Sequence, residues 1–197
     1  MSRGYLTNPN FQYTVTCQCP KSAGVCVGGD DGDTGQSEEA SEEEVDAGDF
    51  KDGCLGAHNT HRADHSARPL TWCEKCAEFA QRHCDTLAAR GDGRMTHSTR
   101  RSRIWDGKPH GENLAYMTGA TCPMVVDYWY DEKDNYIRYK WNPVRNFRHG
   151  DFGHFTQEVW KSTTGVGCGQ TGNYVCCVYE PSGNRLSTLQ FRRNVET

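Results

Sequence analysis

Between positions 30 and 49 the chain carries ten acidic residues and no basic one (Asp30, Asp31, Asp33, Glu38, Glu39, Glu42, Glu43, Glu44, Asp46 and Asp49), and this run decides where a folded core can lie. A Gly- and Ser-containing stretch with so few apolar side chains cannot bury enough surface to offset its conformational entropy, which predicts a disordered linker. The run also masks the charge of the rest: the net charge of -4 divides into +2 for residues 1–29, -10 for 30–49 and +4 for 50–197. The organisation that follows is an N-terminal extension over 1–48, made of a Cys-bearing segment 1–29 and the acidic linker 30–48, and one domain over 49–197, long enough for a proper core. The plain reading of the linker is a solvated spacer. The sharper one folds it over Arg100, Arg101, Arg103, Arg145 and Arg148, where it would hinder anionic partners in a salt-dependent way.

Eleven cysteines in 197 residues point to an oxidising compartment. The odd count leaves one unpaired, and spacing alone leaves the partners of Cys54, Cys122, Cys168, Cys176 and Cys177 open. No stretch approaches the ~18 uninterrupted apolar residues of a spanning helix. Met1-Ser2-Arg3-Gly4-Tyr5 opens no apolar signal core, position 2 is not Gly, and Asn194-Val195-Glu196-Thr197 is no prenylation box. The expectation is a processed or truncated form of an extracellular protein, the alternative a thiol-rich cytoplasmic one, with any membrane contact non-covalent. The small basic excess of the domain and the lack of a reader motif argue against nucleic acid as a partner.

Within the domain, Thr71 and Glu74 form a capping-box pattern after Pro69, and Cys73, Cys76, Ala77, Ala80, Cys84, Leu87 and Ala88 recur at helical spacing up to Gly91. On such a helix Cys73-x-x-Cys76 reads as packing rather than as a metal clip or redox site. Arg90-Gly91-Asp92 reads as a capping Gly flanked by charges, not as an adhesion tripeptide. Pro123 suits the first position of another helix, on which Val125, Tyr128, Trp129, Glu132 and Tyr136 share a face. A carboxylate on that face must be paired, protonated or bound to a cation, which makes Glu132 a site candidate. Residues 166–179, with Thr171-Gly172 as the turn, read as an antiparallel hairpin, so the class is α+β.

Four ordered motifs carry more: His58-Asn59-Thr60-His61-Arg62, Gly111-Glu112-Asn113-Leu114, Gly153-His154-Phe155-Thr156-Gln157-Glu158-Val159-Trp160, and Tyr174-Val175-Cys176-Cys177-Val178-Tyr179-Glu180-Pro181-Ser182-Gly183-Asn184. Together they resemble the signature stretches of the superfamily of cysteine-rich secretory proteins, antigen 5 and pathogenesis-related 1 proteins, the CAP superfamily. The resemblance covers roughly Asp49 to Asn184 and implies an α-β-α sandwich with a three-stranded antiparallel sheet between helical layers. It also implies a cleft with two histidines and two glutamates, carried here by His97, Glu112, Glu132 and His154, with His110 as an alternative to His97. Two departures stand out: Glu158 replaces an aliphatic residue and Val178 a polar one. Glu158 lies four residues after His154, so it could pair with that imidazole or face solvent.

Two converging carboxylates raise each other's proton affinity unless a cation intervenes, and neutral imidazoles favour zinc over magnesium or calcium. The divalent cation expected at His97, Glu112, Glu132 and His154 is therefore zinc, with the carboxylates either ligating it or orienting the histidines from outside. The loop with Trp141, Pro143, Val144, Phe147 and Phe152 corresponds to the family's sterol-binding loop; its aromatics either hold a sterol or fatty acid or anchor the loop to the core. Arg145, Arg148 and His149 could bring that loop to an anionic membrane surface. The functional expectation is a secreted lipid-binding protein acting in defence or host interaction. The alternatives are a hydrolase, in which Ser98 or a metal-bound water attacks with Glu112 as base, and an effector that binds a protein partner. Catalysis is disfavoured because no nucleophile-elbow or zincin signature is present.

Overall fold

The computed structural model describes residues 47–148 and 151–197. Cys17, Cys19, Cys26, the acidic run up to Asp46, and His149 lie outside the described residues. The elements run α1 (Ala47–Asp64), β1 (Thr71–Trp72), α2 (Glu74–Arg90), β2 (Ile104–Trp105), β3 (Lys108–Pro109), β4 (Gly111–Tyr116), α3 (Cys122–Tyr130), α4 (Lys133–Tyr139), α5 (Pro143–Asn146), α6 (Gly153–Glu158), β5 (Gly165–Thr171), β6 (Tyr174–Glu180) and α7 (Thr188–Asn194). Because α1 starts at Ala47, a boundary drawn at 48/49 falls inside its first turn.

The main sheet has the order β1-β5-β6-β4. Its body is the antiparallel trio β5-β6-β4, and the fourth strand is only the two-residue β1, parallel to β5. The β5–β6 hairpin forms as its pattern predicts, with Thr171 opposite Tyr174 and Gly172 at φ 56° in the turn. Alternation along the strands then sorts the side chains into two layers. Leu114, Cys176 and Val178 pack on Cys76, Ala80, Cys84 and Leu87 of α2. Ala115, Val175, Cys177 and Tyr179 face α1 and α3 with Cys54, Val125 and Trp129. Glycine brings α2 close: a Cβ on Gly167 would sit 2.2 Å from the Ala77 nitrogen. A third cluster gathers Tyr136, Phe152, Phe155, Trp160, Phe191 and Val195 beyond the sheet. The result is the α-β-α sandwich.

All eight described cysteines are paired. Cys54–Cys122 ties α1 to α3, Cys84–Cys176 ties α2 to β6, Cys168–Cys177 staples β5 to β6, and Cys73–Cys76 closes a short ring. Here the periodicity reading needs correcting. Cys73 is the N-cap of α2, not a member of its buried stripe, and it is bonded to Cys76 rather than merely packed. Thr71 belongs to β1, so the capping box does not form; Glu74 instead accepts from Trp72 Nε1 at 3.0 Å and from Lys51 Nζ at 2.9 Å. Gly91 does cap α2, at φ 63° with its N–H on Ala88 O, and Arg90 and Asp92 turn their charges toward each other at 3.8 Å.

The single helix expected from Pro123 to Tyr136 is broken. α3 ends at Tyr130, Asp131 and Glu132 make the turn, and Tyr128 is 58% exposed instead of buried. Trp129, Val125 and Tyr136 are buried as their spacing predicts. The break has a cause on α6: Glu132 Oε2 accepts the N–H groups of His154 at 2.9 Å and Phe155 at 3.2 Å, donors that the first turn of a helix leaves without partners. Among the described residues no helix is long and apolar enough to cross a membrane.

Candidate functional site

The polar residues of the four motifs first build a frame. His58 is fully buried; its Nδ1–H donates to Cys54 O at 2.7 Å and its Nε2 accepts from Tyr179 Oη–H at 2.8 Å. Burial lowers its pKa to about 4, which keeps it neutral, and the Cys54 carbonyl, which can only accept, places the proton on Nδ1. Tyr179 Oη in turn accepts from Asn113 Nδ2, which also reaches His154 O at 3.2 Å. Asn59 pairs with both backbone groups of Leu70. The two C-terminal signature stretches are stitched together by Thr156 Oγ1 donating to Asn184 Oδ1 at 2.7 Å and Gly183 N–H donating to Gln157 Oε1 at 2.8 Å. The N-terminal end of α6, and with it His154, is thus held from three directions.

Two His–Glu pairs sit on this frame. His154 Nδ1 donates to Glu132 Oε1 at 2.6 Å, and its ring stacks on the buried Trp129 with centroids 5.7 Å apart. His97 Nδ1 donates to Glu112 Oε1 at 2.6 Å, while Ser98 N–H and Oγ–H donate to Glu112 at 3.0 and 2.6 Å. His83 of α2 and Arg103 approach the same carboxylate at 3.9 and 4.0 Å. Burial alone would raise the Glu112 carboxyl, but the bonds from His97 and Ser98 and the charge of Arg103 outweigh it and hold it below the ordinary range. His110, the alternative upstream histidine, is elsewhere: it stacks on Trp105 at 3.5 Å and faces Glu180. The imidazole against Glu112 is His97.

The carboxylates do not share one pocket without partners, as their sequence reading supposed; each has its own imidazole and backbone or hydroxyl donors. Their separation follows from the sheet. Consecutive residues of a strand point to opposite faces, so Glu112 turns to the α2 side and Asn113 to the side of α6. Since β4 is an edge strand, the two pairs flank that edge. Among the described residues no three His, Cys, Asp or Glu ligand atoms that include these four residues lie within 4.8 Å of one another. Both histidines spend Nδ1 on a carboxylate, and Nε2 of each has no hydrogen-bond partner among the described residues. That donor set suits a cation held by Nε2 with the glutamates behind, the usual outer-shell role of a carboxylate on a metal-binding histidine.

As a nucleophile, Ser98 is poorly placed. Its hydroxyl proton goes to Glu112, not to His97, and a carboxylate with depressed proton affinity is a weak base. The expected lipid loop is also largely committed to packing. Phe152 is fully buried, Phe147 meets Phe152 edge-to-face at 5.7 Å and tilts on Phe191 at 5.8 Å, and Pro143 is buried. Val144 packs on the same cluster, which leaves Trp141, 66% exposed, as the free aromatic of that group. Of the two readings of this loop, anchoring is the one the contacts match.

An α-β-α sandwich with disulfides across its layers and paired histidines and glutamates beside an edge strand defines a class. A family model for the cysteine-rich secretory protein family, CAP, matches residues 55–179, and the chain belongs to that family. Protein PRY2 of Saccharomyces cerevisiae is 37% identical over 158 residues, which is 75% of this chain but only 41% of the yeast protein's length. Pathogenesis-related protein 1C of Nicotiana tabacum is 37% identical over 138 residues, 66% of this chain and 74% of its own. Among solved structures, Schistosoma mansoni venom allergen-like protein 4 superposes with a TM-score of 0.53 at 23% identity, covering 68% of this chain and 88% of its own. NaASP2 solved with Zn2+ gives 0.51 at 20% identity, covering 68% and 80%. These last two share the fold.

The departure at Glu158 yields a third His–Glu pair that motif reading did not find. Glu158 is fully buried and neither pairs with His154 nor faces solvent; His61 Nδ1 donates to its Oε1 at 2.6 Å while Oε2 has no partner among the described residues. His61 Nε2 faces Asp127 at 3.1 Å, and its ring stacks on Tyr130 at 3.9 Å. The only prior signal was an acid at an apolar position. Burial pushes the Glu158 carboxyl up from 4.5 to about 7 in spite of His61. A carboxyl raised on folding binds its proton more tightly in the native state, so its contribution is full below about 4.5 and is lost as pH rises through about 7. Burial opposes protonation of His61, but Glu158 and Asp127 outweigh it and raise this group too, which acts in the same direction. We predict that Glu158→Gln gains stability relative to wild type by roughly 1–3 kcal/mol between pH 5 and pH 8, measured by denaturant unfolding. A pH-independent difference between the two proteins would contradict the buried carboxyl.

Proposed function

We propose that this domain is an extracellular carrier of a small lipid, a sterol or a fatty acid, and that its His–Glu pairs hold a divalent cation, zinc foremost. The observation that carries the lipid reading is a cavity of about 1020 Å³ between the starts of α1 and α3, α2 and the Cys168–Gln170 stretch of β5, lined by Phe50, Trp72, Ala77, Ala120 and Pro123 with polar groups such as Lys51, Glu74, Glu78 and Gln81 around them. A mainly apolar cleft of this size matches the usual dimensions of a small-molecule site. Burying ~300 Å² of apolar ligand at roughly 25 cal/mol per Å² gives about 7.5 kcal/mol before ordering costs, enough for micromolar affinity. The lipid is therefore assigned to this cavity and not to the loop 141–152. Exposed Trp141 beside Arg145 and Arg148 suits contact with an anionic membrane surface during exchange. Extracellular placement is supported by the four disulfides and by relatives such as the Candida albicans protein named Secreted protein RBT4, 36% identical over 150 residues.

Binding of fluorescent sterol and fatty-acid analogues tests the lipid assignment. Ala77→Phe, which fills the cavity from α2, is expected to weaken binding about tenfold or more, whereas Trp141→Ala should change it by less than about threefold. The opposite pattern returns the site to the loop, and no saturable binding of either analogue removes the carrier reading.

The cation would be held by His97 and His154 through Nε2, with Glu112 and Glu132 orienting the rings. It would add positive charge at the β4 edge. Calorimetry should show zinc binding that fades with acidity, because a protonated imidazole has no lone pair for a metal, and that is lost in the His97→Ala, His154→Ala double variant. Equal zinc affinity in wild type and double variant would reject the assignment.

A further inference from the structure

Three of the four described disulfides join separate elements, and their six cysteines are 4% exposed or less. Cys73–Cys76 is different. Its sequence separation is 3, so it ties no element to another and constrains the unfolded chain least. Cys76 is buried, but Cys73 is half-buried at the mouth of the 17-residue α2, where its Sγ accepts the Cys76 N–H at 3.2 Å. A sulfur in that position has its thiolate stabilised by backbone N–H groups and by the helix dipole.

A second group converges on the pair from the far end of the sheet. A carboxylate oxygen of Glu180, the last residue of β6, lies within 4.8 Å of both sulfurs. Gly165 keeps that approach open: a Cβ there would stand 3.0 Å from Glu180 Cγ and 3.5 Å from Cys73 Cβ. Behind Glu180 stands buried His110, its Nε2 3.5 Å from Glu180 Oε2 and its ring held on Trp105. A half-buried cysteine at a helix N-terminus, a buried partner, and a carboxylate–imidazole path to the pair are parts that favour thiol–disulfide exchange.

We propose that Cys73–Cys76 is a redox-active disulfide that exchanges with thiols of the glutathione class. An external thiolate attacks Cys73 Sγ, the accessible sulfur. A mixed disulfide forms there, the bond to Cys76 Sγ breaks, and its electron pair leaves on Cys76. The Glu180 carboxylate is close to both sulfurs and disfavours a negative charge on either; buried Cys76 therefore takes up a solvent proton relayed by His110 and Glu180 and stays a thiol, whereas at half-buried Cys73 the helix N-terminus offsets the carboxylate. A second external thiolate attacks the external sulfur of the mixed disulfide and expels Cys73 as a thiolate that the helix N-terminus stabilises. Two thiols are oxidised to one disulfide, and Cys73–Cys76 is reduced by two electrons.

The test incubates the full chain under native conditions in glutathione buffers of graded ratio, quenches with acid, alkylates, and maps each cysteine by mass spectrometry. Cys73 and Cys76 should become alkylated at a reductant level at least about tenfold below that needed for Cys54–Cys122, Cys84–Cys176 and Cys168–Cys177, with circular dichroism unchanged. In Cys76→Ser the glutathione adduct should accumulate on Cys73. In Glu180→Gln the pH profile of the exchange rate should change, an effect that loss of a merely structural contact would not produce. Opening of Cys73–Cys76 only together with the other three, as the protein unfolds, would overturn the proposal. An unaltered pH profile in Glu180→Gln would overturn the assigned proton path. Should Cys76→Ser fail to fold, the graded mapping of the wild-type chain still decides.

Discussion

Arg62 lies wholly inside the domain, and its guanidinium spends its donors on main-chain oxygens: Nε on Arg68 O at 2.8 Å, Nη1 on Glu158 O at 2.8 Å and Trp160 O at 3.0 Å, and Nη2 on Thr163 O at 3.0 Å. Burial lowers its pKa to about 10, which leaves it charged at neutral pH. One cation thus satisfies the carbonyls of a chain that leaves α6 and turns into β5, a stretch with no regular ladder of its own. Few alternatives exist, because the Glu158 and Thr163 carbonyls have no other donor among the described residues, while Trp160 O keeps only the Thr163 N–H at 3.0 Å. The planar fork of arginine is suited to several acceptors at once, which a lysine ammonium cannot match.

What depends on that clamp is the placement of α6. Arg62 grips its C-terminal end, Glu132 caps its N-terminal end, and Asn113 holds the His154 carbonyl from the sheet. His154 is consequently a fixed group rather than a loop side chain. The same economy explains the polar motifs: His58, Asn59 and Arg62 serve the frame, while His97, Glu112, Glu132 and His154 form the two His–Glu pairs beside the β4 edge.

The hairpin, the apolar stripe of α2 and Pro123 at a helix start could be read from residues, because each follows from a local period or a turn signal; the resemblance named His97 and Glu112 for one cleft but left open which histidine meets which carboxylate. Other features could not, and for physical reasons. Cys73 fits a helical period, yet the chain is still extended at that residue and becomes helical only at Glu74. The break after Tyr130 is imposed by a need of α6, more than twenty positions away. Phe147 and Phe152 have the composition of a ligand loop, but their partners Tyr136 and Phe191 lie outside it. Glu158 met His61 across 97 positions, so its partner could not be found at helical spacing.

The central claim is that the buried guanidinium fork, and not positive charge alone, holds the signature helix. Arg62→Lys tests it most directly, by equilibrium denaturant unfolding of the otherwise unchanged chain. Lysine keeps the charge but cannot serve all four carbonyls, so the account predicts a loss of at least about 3 kcal/mol. A loss below about 1 kcal/mol would contradict it, since the carbonyls of Glu158 and Thr163 would then be satisfied without the fork.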